Sequence, residues 1–170
     1  AIKGRTFDQP LPLIIRGAAM LEEIAARVPD AARTLMRLFW PGPLTLIVEA
    51  SKKIPPLLTA STGTVAVRDS SHPLARLLVT TAGIPLTSTS ANVSGDRSCA
   101  SAEAVQAQIG DRVDLIIDGG PTPGGLPSTI VDLTVSPPRI VREGAVSASR
   151  LAPLLGECDL QPHRDRDAAR

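Results

Sequence analysis

Gly63-Thr64-Val65-Ala66-Val67-Arg68, followed some twenty residues on by Thr87-Ser88-Thr89-Ser90-Ala91-Asn92-Val93-Ser94-Gly95, decides the architecture. The first run alternates, with Val65 and Val67 on one face and Ala66 on the other, and it ends on a cation. That is the pattern of a half-buried strand. The second run leaves a short strand at Pro85-Leu86 and becomes a cluster of hydroxyl and amide side chains. Between the two, residues 73–82 place Leu74, Leu77, Leu78 and Thr81 on one helical face. Pro73 suits the first turn of that helix and Gly83 its C-terminal cap. Strand, helix and strand predict a parallel pair joined by a right-handed crossover. Arg68 and the serine cluster then both lie at strand C-terminal ends, where open α/β sheets place their ligand crevices.

A guanidinium beside several hydroxyls suits an anionic ligand, because arginine forks onto carboxylate or phosphate oxygens. Ser88, Ser90, Asn92 and Ser94 can donate to further oxygens, and Gly95 permits close backbone approach. The same serines and asparagine also suit capping of the next helix and filling of a turn.

Working outward, the 170 residues are long enough for one domain with a real core. Aromatics make up only 2% and tyrosine is absent, so Leu, Ile, Val and Ala must build that core. So few aromatics weigh against a base-stacking surface for single-stranded nucleic acid. A formal net charge of +1 requires any basic patch to be local. The two cysteines, Cys99 and Cys158, have no metal-ligand spacing, and the simplest reading is a reduced, cytoplasmic protein. No apolar run reaches the length of a bilayer span, so no membrane association is expected. The chain opens on Ala1-Ile2-Lys3-Gly4-Arg5 with no strand or cap before it, as if begun inside a domain.

Lys3-Gly4-Arg5 and Asp8-Gln9-Pro10 lead into a short apolar strand over 11–15. Helices are expected over 18–28, stopped by Pro29, and over 31–39, capped by Asp30. Trp40-Pro41-Gly42-Pro43 is a rigid turn with Trp40 as a packing anchor. A strand follows over 44–49, then a surface connection or short helix over 52–60. Ser101 caps a helix over 102–109, and 114–118 reads as an apolar strand. The loop Gly119-Gly120-Pro121-Thr122-Pro123-Gly124-Gly125 lacks the lysine and helix of a P-loop. Strands over 128–132 and 140–142 and a helix over 148–155 complete an α/β fold with a mixed, twisted sheet. Residues 156–170 are expected to be a disordered tail beyond a single domain over 1–155.

The chemistry is narrowed by what is missing. His72 and His163 are the only histidines, and no Ser-His-Asp set, zinc cluster or acid pair assembles from the sequence. What recurs is cations and hydroxyls at element ends: Lys3, Arg5, Arg68, Ser88, Ser90, Ser128 and Arg142. That pattern suits binding of a polyanion, with catalysis by orientation and charge neutralisation rather than by a chemical catalytic residue. Phosphoryl or nucleotidyl transfer needs little more than a divalent ion carried by the substrate itself.

Six motifs in order resemble the YrdC-like family of threonylcarbamoyl-AMP synthases. They are Lys3-Gly4-Arg5 with Asp8-Gln9-Pro10-Leu11, Trp40-Pro41-Gly42-Pro43-Leu44-Thr45, Thr64-Val65-Ala66-Val67-Arg68, Ser88-Thr89-Ser90-Ala91-Asn92-Val93-Ser94-Gly95, Ser128-Thr129-Ile130-Val131-Asp132 and Arg142-Glu143-Gly144. The resemblance runs from Ile2 to about Leu155 and implies a twisted α/β sheet with a concave basic cleft. It also implies an enzyme that joins L-threonine, bicarbonate or carbon dioxide, and ATP into L-threonylcarbamoyl-adenylate and pyrophosphate, with Mg²⁺ borne by ATP. The product would feed tRNA threonylcarbamoyl transfer by downstream proteins. Carried over residue by residue, Lys3, Arg5, Gln9, Thr64, Ser90, Asn92, Ser98 and Arg142 would serve ATP. Arg68, Ser88 and Ser128 would serve threonine. The family's amino-terminal Pro-Thr-x-Thr-x-Tyr-Gly-Leu segment is absent, and Ile14-Ile15-Arg16 stands where many members have a histidine. Glu143 stands where a proline is common.

Two other readings compete. One is a non-catalytic module that binds tRNA or double-stranded RNA by shape and phosphate contacts, which near-neutral charge does not favour. The other is a carbamoyl-phosphate-handling domain like that of hydrogenase-maturation carbamoyltransferases, which the lack of paired cysteines does not favour.

Overall fold

The computed structural model describes residues 10–122 and 124–160. The strands are β1 (Leu13–Ile14), β2 (Leu44–Glu49), β3 (Thr64–Arg68), β4 (Leu86–Thr87), β5 (Thr129–Asp132), β6 (Arg139–Arg142) and β7 (Asp159–Leu160). The helices are α1 (Gly17–Ile24), α2 (Asp30–Phe39), α3 (Pro56–Thr59), α4 (Pro73–Ala82), α5 (Ala102–Ile109) and α6 (Ala148–Leu155). The strands join in one mixed sheet in the order β4-β1-β3-β2-β5-β6-β7, which is the mixed α/β sheet expected from the sequence.

The local unit expected from residues 63–95 is corrected. β3 and β4 are not neighbours: β1 lies between them, parallel to β3 and antiparallel to β4. Helix α4 therefore links two strands that run in opposite directions, and no parallel crossover pair forms. The elements themselves were readable from local periodicity, but the strand that came between them lies some fifty residues upstream. Short-range pattern carries no information about such a pairing.

One sheet face is the core. Leu13, Val65, Val67, Leu44, Leu46, Val48, Val131 and Ile140 are all buried, each on the same side of its strand by the two-residue alternation. Helices α1, α2 and α6 cover this face with Leu21, Ile24, Ala32, Leu35, Met36 and Leu151. Each Leu, Ile or Met among them, removed from water, is worth roughly 1.5–3 kcal/mol. Trp40 packs against the cluster as an anchor and donates its indole N–H to the Leu44 carbonyl at 2.7 Å, fixing the turn into β2.

Other boundaries shift modestly. α1 stops at Ile24, because Ala25 leaves the helix to bridge Ala50. Residues 114–118 form no strand, and Leu115 is 75% exposed. Within the span expected to be a tail, Asp159–Leu160 pairs with β6 instead. Residues 161–170 lie outside the described residues. No helix among the described residues is long and apolar enough to cross a membrane.

Candidate functional site

The face opposite the core carries the cations. Register pairs Ile14 with Arg68, Thr45 with Ile130, and Ile130 with Arg142. Leu46 pairs with Val67, so Thr45 and Arg68 lie beside each other one step further along β2 and β3. Residues in register share a face, so Ile14, Arg68, Thr45, Ile130 and Arg142 form one row across the sheet. Arg68 and Arg142 stand three strands apart, about 14 Å at the backbone, a gap two extended arginine side chains and a ligand can close.

Arg142 joins this row because of a β-bulge. Val131 faces Ile140 and Ile130 faces Arg142, so Val141 and Arg142 together oppose one residue. In a regular strand the alternation would send Arg142 to the same side as buried Ile140. The extra residue re-aims the guanidinium onto the open face. There its Nε and Nη2 donate to the Ser128 carbonyl at 3.1 and 2.8 Å, and Nη2 lies 3.3 Å from the Ser128 hydroxyl.

The segment around Ser128 is held from below. Buried Thr129 donates its hydroxyl to the Val146 carbonyl at 2.5 Å and accepts from the Gly144 and Val146 amides at 2.9 and 3.0 Å. Ala145 donates its amide to the Pro127 carbonyl at 2.9 Å. A β-carbon on Gly144 would sit 2.1 Å from the Pro127 carbonyl oxygen and 2.8 Å from the Ser128 carbonyl carbon. Only glycine lets the loop after Arg142 cross the backbone before β5 this closely.

The backbone just after Arg68 is held by Asp69. Asp69, 5% exposed at its side chain, accepts from Arg76 at 2.9 Å and from the Gly17 amide at 3.1 Å. Its carbonyl accepts from Gly42 at 2.8 Å, which ties the end of β3 to the turn entering β2. Burial raises the Asp69 carboxyl above its ordinary range, against the opposing pull of Arg76, the Gly17 amide and Arg16.

The electrostatics of the row call for an anion. Burial lowers the Arg68 guanidinium from its ordinary range, and the like charge of Arg142 acts in the same direction. Burial lowers Arg142 as well. Both remain cations, since guanidinium does not deprotonate in proteins. Among the described residues neither forms an ion pair, and the buried Nε of Arg68 has no hydrogen-bond partner. A desolvated cation with a bare N–H is costly unless an anion meets it. Among the described residues no cluster of three or more His, Cys, Asp or Glu is placed to hold a metal ion.

The remaining expected site residues lie outside this row. Lys3, Arg5 and Gln9 lie outside the described residues. Thr64 shares the face of Arg68 but sits at the other end of β3, opposite Glu49, about 13 Å along the strand. Ser88 follows β4 and donates its amide to the Pro12 carbonyl at 2.8 Å, two strands from Arg68. Asn92 is buried, and its amide group donates to the Val93 and Asp96 carbonyls at 2.9 and 2.7 Å, which shapes the 92–96 turn. Ser90 and Ser98 are exposed on the same segment. The geometry thus gathers Arg68, Arg142 and Ser128 and adds Thr45, which was quoted within a motif but given no role of its own. Its run, Leu44-Thr45-Leu46-Ile47-Val48, reads as a strand with one hydroxyl among apolar residues, and nothing in the run marks that hydroxyl as buried on the face of Arg68.

The family model Sua5/YciO/YrdC, described as telomere recombination, matches residues 1–144. The chain is 38% identical over 160 residues to a threonylcarbamoyl-AMP synthase of Pyrococcus abyssi, covering 94% of the chain and 47% of that protein. It is 40% identical over 154 residues to a putative threonylcarbamoyl-AMP synthase of Mycobacterium tuberculosis, covering 91% of the chain and 70% of that protein. The fold superimposes on P. abyssi Sua5 complexed with L-threonine at a TM-score of 0.89 and 38% identity, over 95% of this chain and 47% of that one. The chain thus spans about half the length of the Pyrococcus relative.

Proposed function

Because the chain belongs to the Sua5/YciO/YrdC family, we propose that it forms L-threonylcarbamoyl-adenylate and pyrophosphate from L-threonine, bicarbonate or carbon dioxide, and ATP. The observation that carries this reading is the pair of half-buried guanidiniums of Arg68 and Arg142, set in one row and without an ion pair among the described residues, with the Ser128 hydroxyl beside Arg142. The relatives are named for making threonylcarbamoyl-AMP, and the L-threonine in P. abyssi Sua5 supports threonine as the amino acid.

In this mechanism the threonine amine takes up carbon dioxide and loses a proton to solvent, giving a carbamate. A carbamate oxygen attacks the α-phosphorus of ATP, and the bond to the β-phosphate oxygen breaks as pyrophosphate leaves with substrate-borne Mg²⁺. Nucleophile and electrophile are both anions, so the barrier is largely one of bringing like charges into line. Arg68 takes the threonine carboxylate or its carbamate on its guanidinium, while Ser128 donates to the threonine end. Arg142, braced on the Ser128 carbonyl, neutralises charge on the nucleotide side. Lys3, Arg5, Gln9, Thr64, Ser90 and Ser98 extend the ATP side and Ser88 the threonine side, while Asn92 shapes the turn next to Ser90. No covalent enzyme intermediate is required. The mixed anhydride is reactive toward nitrogen, so a partner protein consumes it by transferring the threonylcarbamoyl group to tRNA.

The test is direct detection of threonylcarbamoyl-AMP by mass spectrometry from purified protein with ATP, Mg²⁺, bicarbonate and L-threonine. Product that depends on all of them is the expected result. ATP turnover with no dependence on threonine would overturn the assignment.

A further inference from the structure

Thr45 is the buried hydroxyl of the row, 5% exposed, and among the described residues its side chain has one hydrogen-bond partner, the Ser128 hydroxyl at 2.9 Å. We propose that Thr45 is a positioning residue that turns the Ser128 hydroxyl into a dedicated donor for the anionic end of threonine, a role that rests on the function proposed above. The argument is an inventory of protons. A buried hydroxyl proton needs an acceptor, and Ser128 Oγ is the one available to Thr45. Arg142 has only donors, and its Nη2 lies 3.3 Å from the same oxygen. Ser128 Oγ therefore receives from Thr45 and from Arg142, which occupies both its lone pairs. Its own proton has nowhere to go among these partners and points to the open face, toward the row that holds Arg68.

Without Thr45 the serine can rotate, spend its proton elsewhere and meet the ligand with a lone pair. An anion would then lose a donor and face a repelling oxygen. The effect belongs to threonine and not to ATP, which separates it from general loosening of the sheet.

The experiment compares Thr45→Val, Thr45→Ser and Ser128→Ala by KM for L-threonine and for ATP, with L-threonine binding followed by calorimetry. Thr45→Val, which keeps shape and removes the hydroxyl, is expected to raise the threonine KM about tenfold and leave the ATP KM in place. Thr45→Ser is expected to restore the wild-type value, and adding Thr45→Val to Ser128→Ala is expected to change nothing further. If Thr45→Val does not fold, Thr45→Ser must still match wild type and Thr45→Ala in the Ser128→Ala background must still be silent. A normal threonine KM in Thr45→Val, equal rises for both substrates, or additive effects with Ser128→Ala overturns this role while leaving the synthase reading in place. Failure of the wild-type protein to bind L-threonine overturns both.

Discussion

The backbone carbonyl of Ser128 takes two hydrogen bonds from the guanidinium of Arg142, at 3.1 and 2.8 Å. A cation that is spent on one carbonyl is a rigid cation. Its remaining edge keeps a fixed direction, and any anion that meets it is placed as well as attracted. The bracing also binds two stretches of chain fourteen residues apart, so faults in either one reach the site.

Gly144 is the first such stretch. A methyl group there would overlap the Pro127 oxygen at 2.1 Å and the Ser128 carbonyl carbon at 2.8 Å, and backbone cannot swing aside as a side chain would. Gly144→Ala is expected to cost about 1–3 kcal/mol of stability. At this chain length that is a fall of roughly 2–12 °C in melting temperature, with weaker threonine binding as Ser128 moves. A thermal melt checks it, and an unchanged Tm contradicts the close packing.

The bulge makes an unusual forecast. Deleting one strand residue ordinarily turns every later side chain to the wrong face. Val141 and Arg142 already share one opposing residue, Ile130, so deleting Val141 leaves Arg142 opposite Ile130 on a regular strand. That deletion is expected to fold and retain threonine binding. Deleting Ala66 from the regularly paired β3 must misplace either Val65 or Arg68, and it is expected to lose the fold or the binding. Melting curves of the two variants, with threonine titrations, separate them.

These two cases show what could be read in advance. The strand at Val65 and Val67, its terminal Arg68 and the bounds of the helix over 73–82 were written in local sequence, and they stand, although that helix buries Val79 and leaves Leu77 and Leu78 exposed. The place of β1 between β3 and β4 was not, because strand order is settled by contacts far apart in sequence. Arg142 was singled out as a cation, yet strict alternation from Ile140 would have turned it inward. Neither glycine nor proline at Val141 announces the bulge that turns it out. Thr45 was hidden in an apolar run, and the serine-rich segment, although chemically suggestive, turned out to include a turn shaped by Asn92.

Arg68 gives a pH prediction. Burial and the charge of Arg142 both disfavour a proton at this position, but arginine starts too high to lose it. In Arg68→Lys the same two influences act on a group that begins at about 10.4. Lysine charge, and the anion binding that depends on it, is present below the lowered pKa and lost as pH rises through it. Threonine affinity of Arg68→Lys is therefore expected to fall with alkaline pH more steeply than that of the wild type. Threonine titrations across that range check it, and parallel profiles would contradict the desolvation of this site.

The most direct test is a crystal structure of the protein with L-threonine bound. A carboxylate or carbamate oxygen is predicted about 2.7–2.9 Å from a guanidinium nitrogen of Arg68, a cation that forms no ion pair among the described residues. Threonine bound elsewhere, with no anion on that guanidinium, would contradict the account.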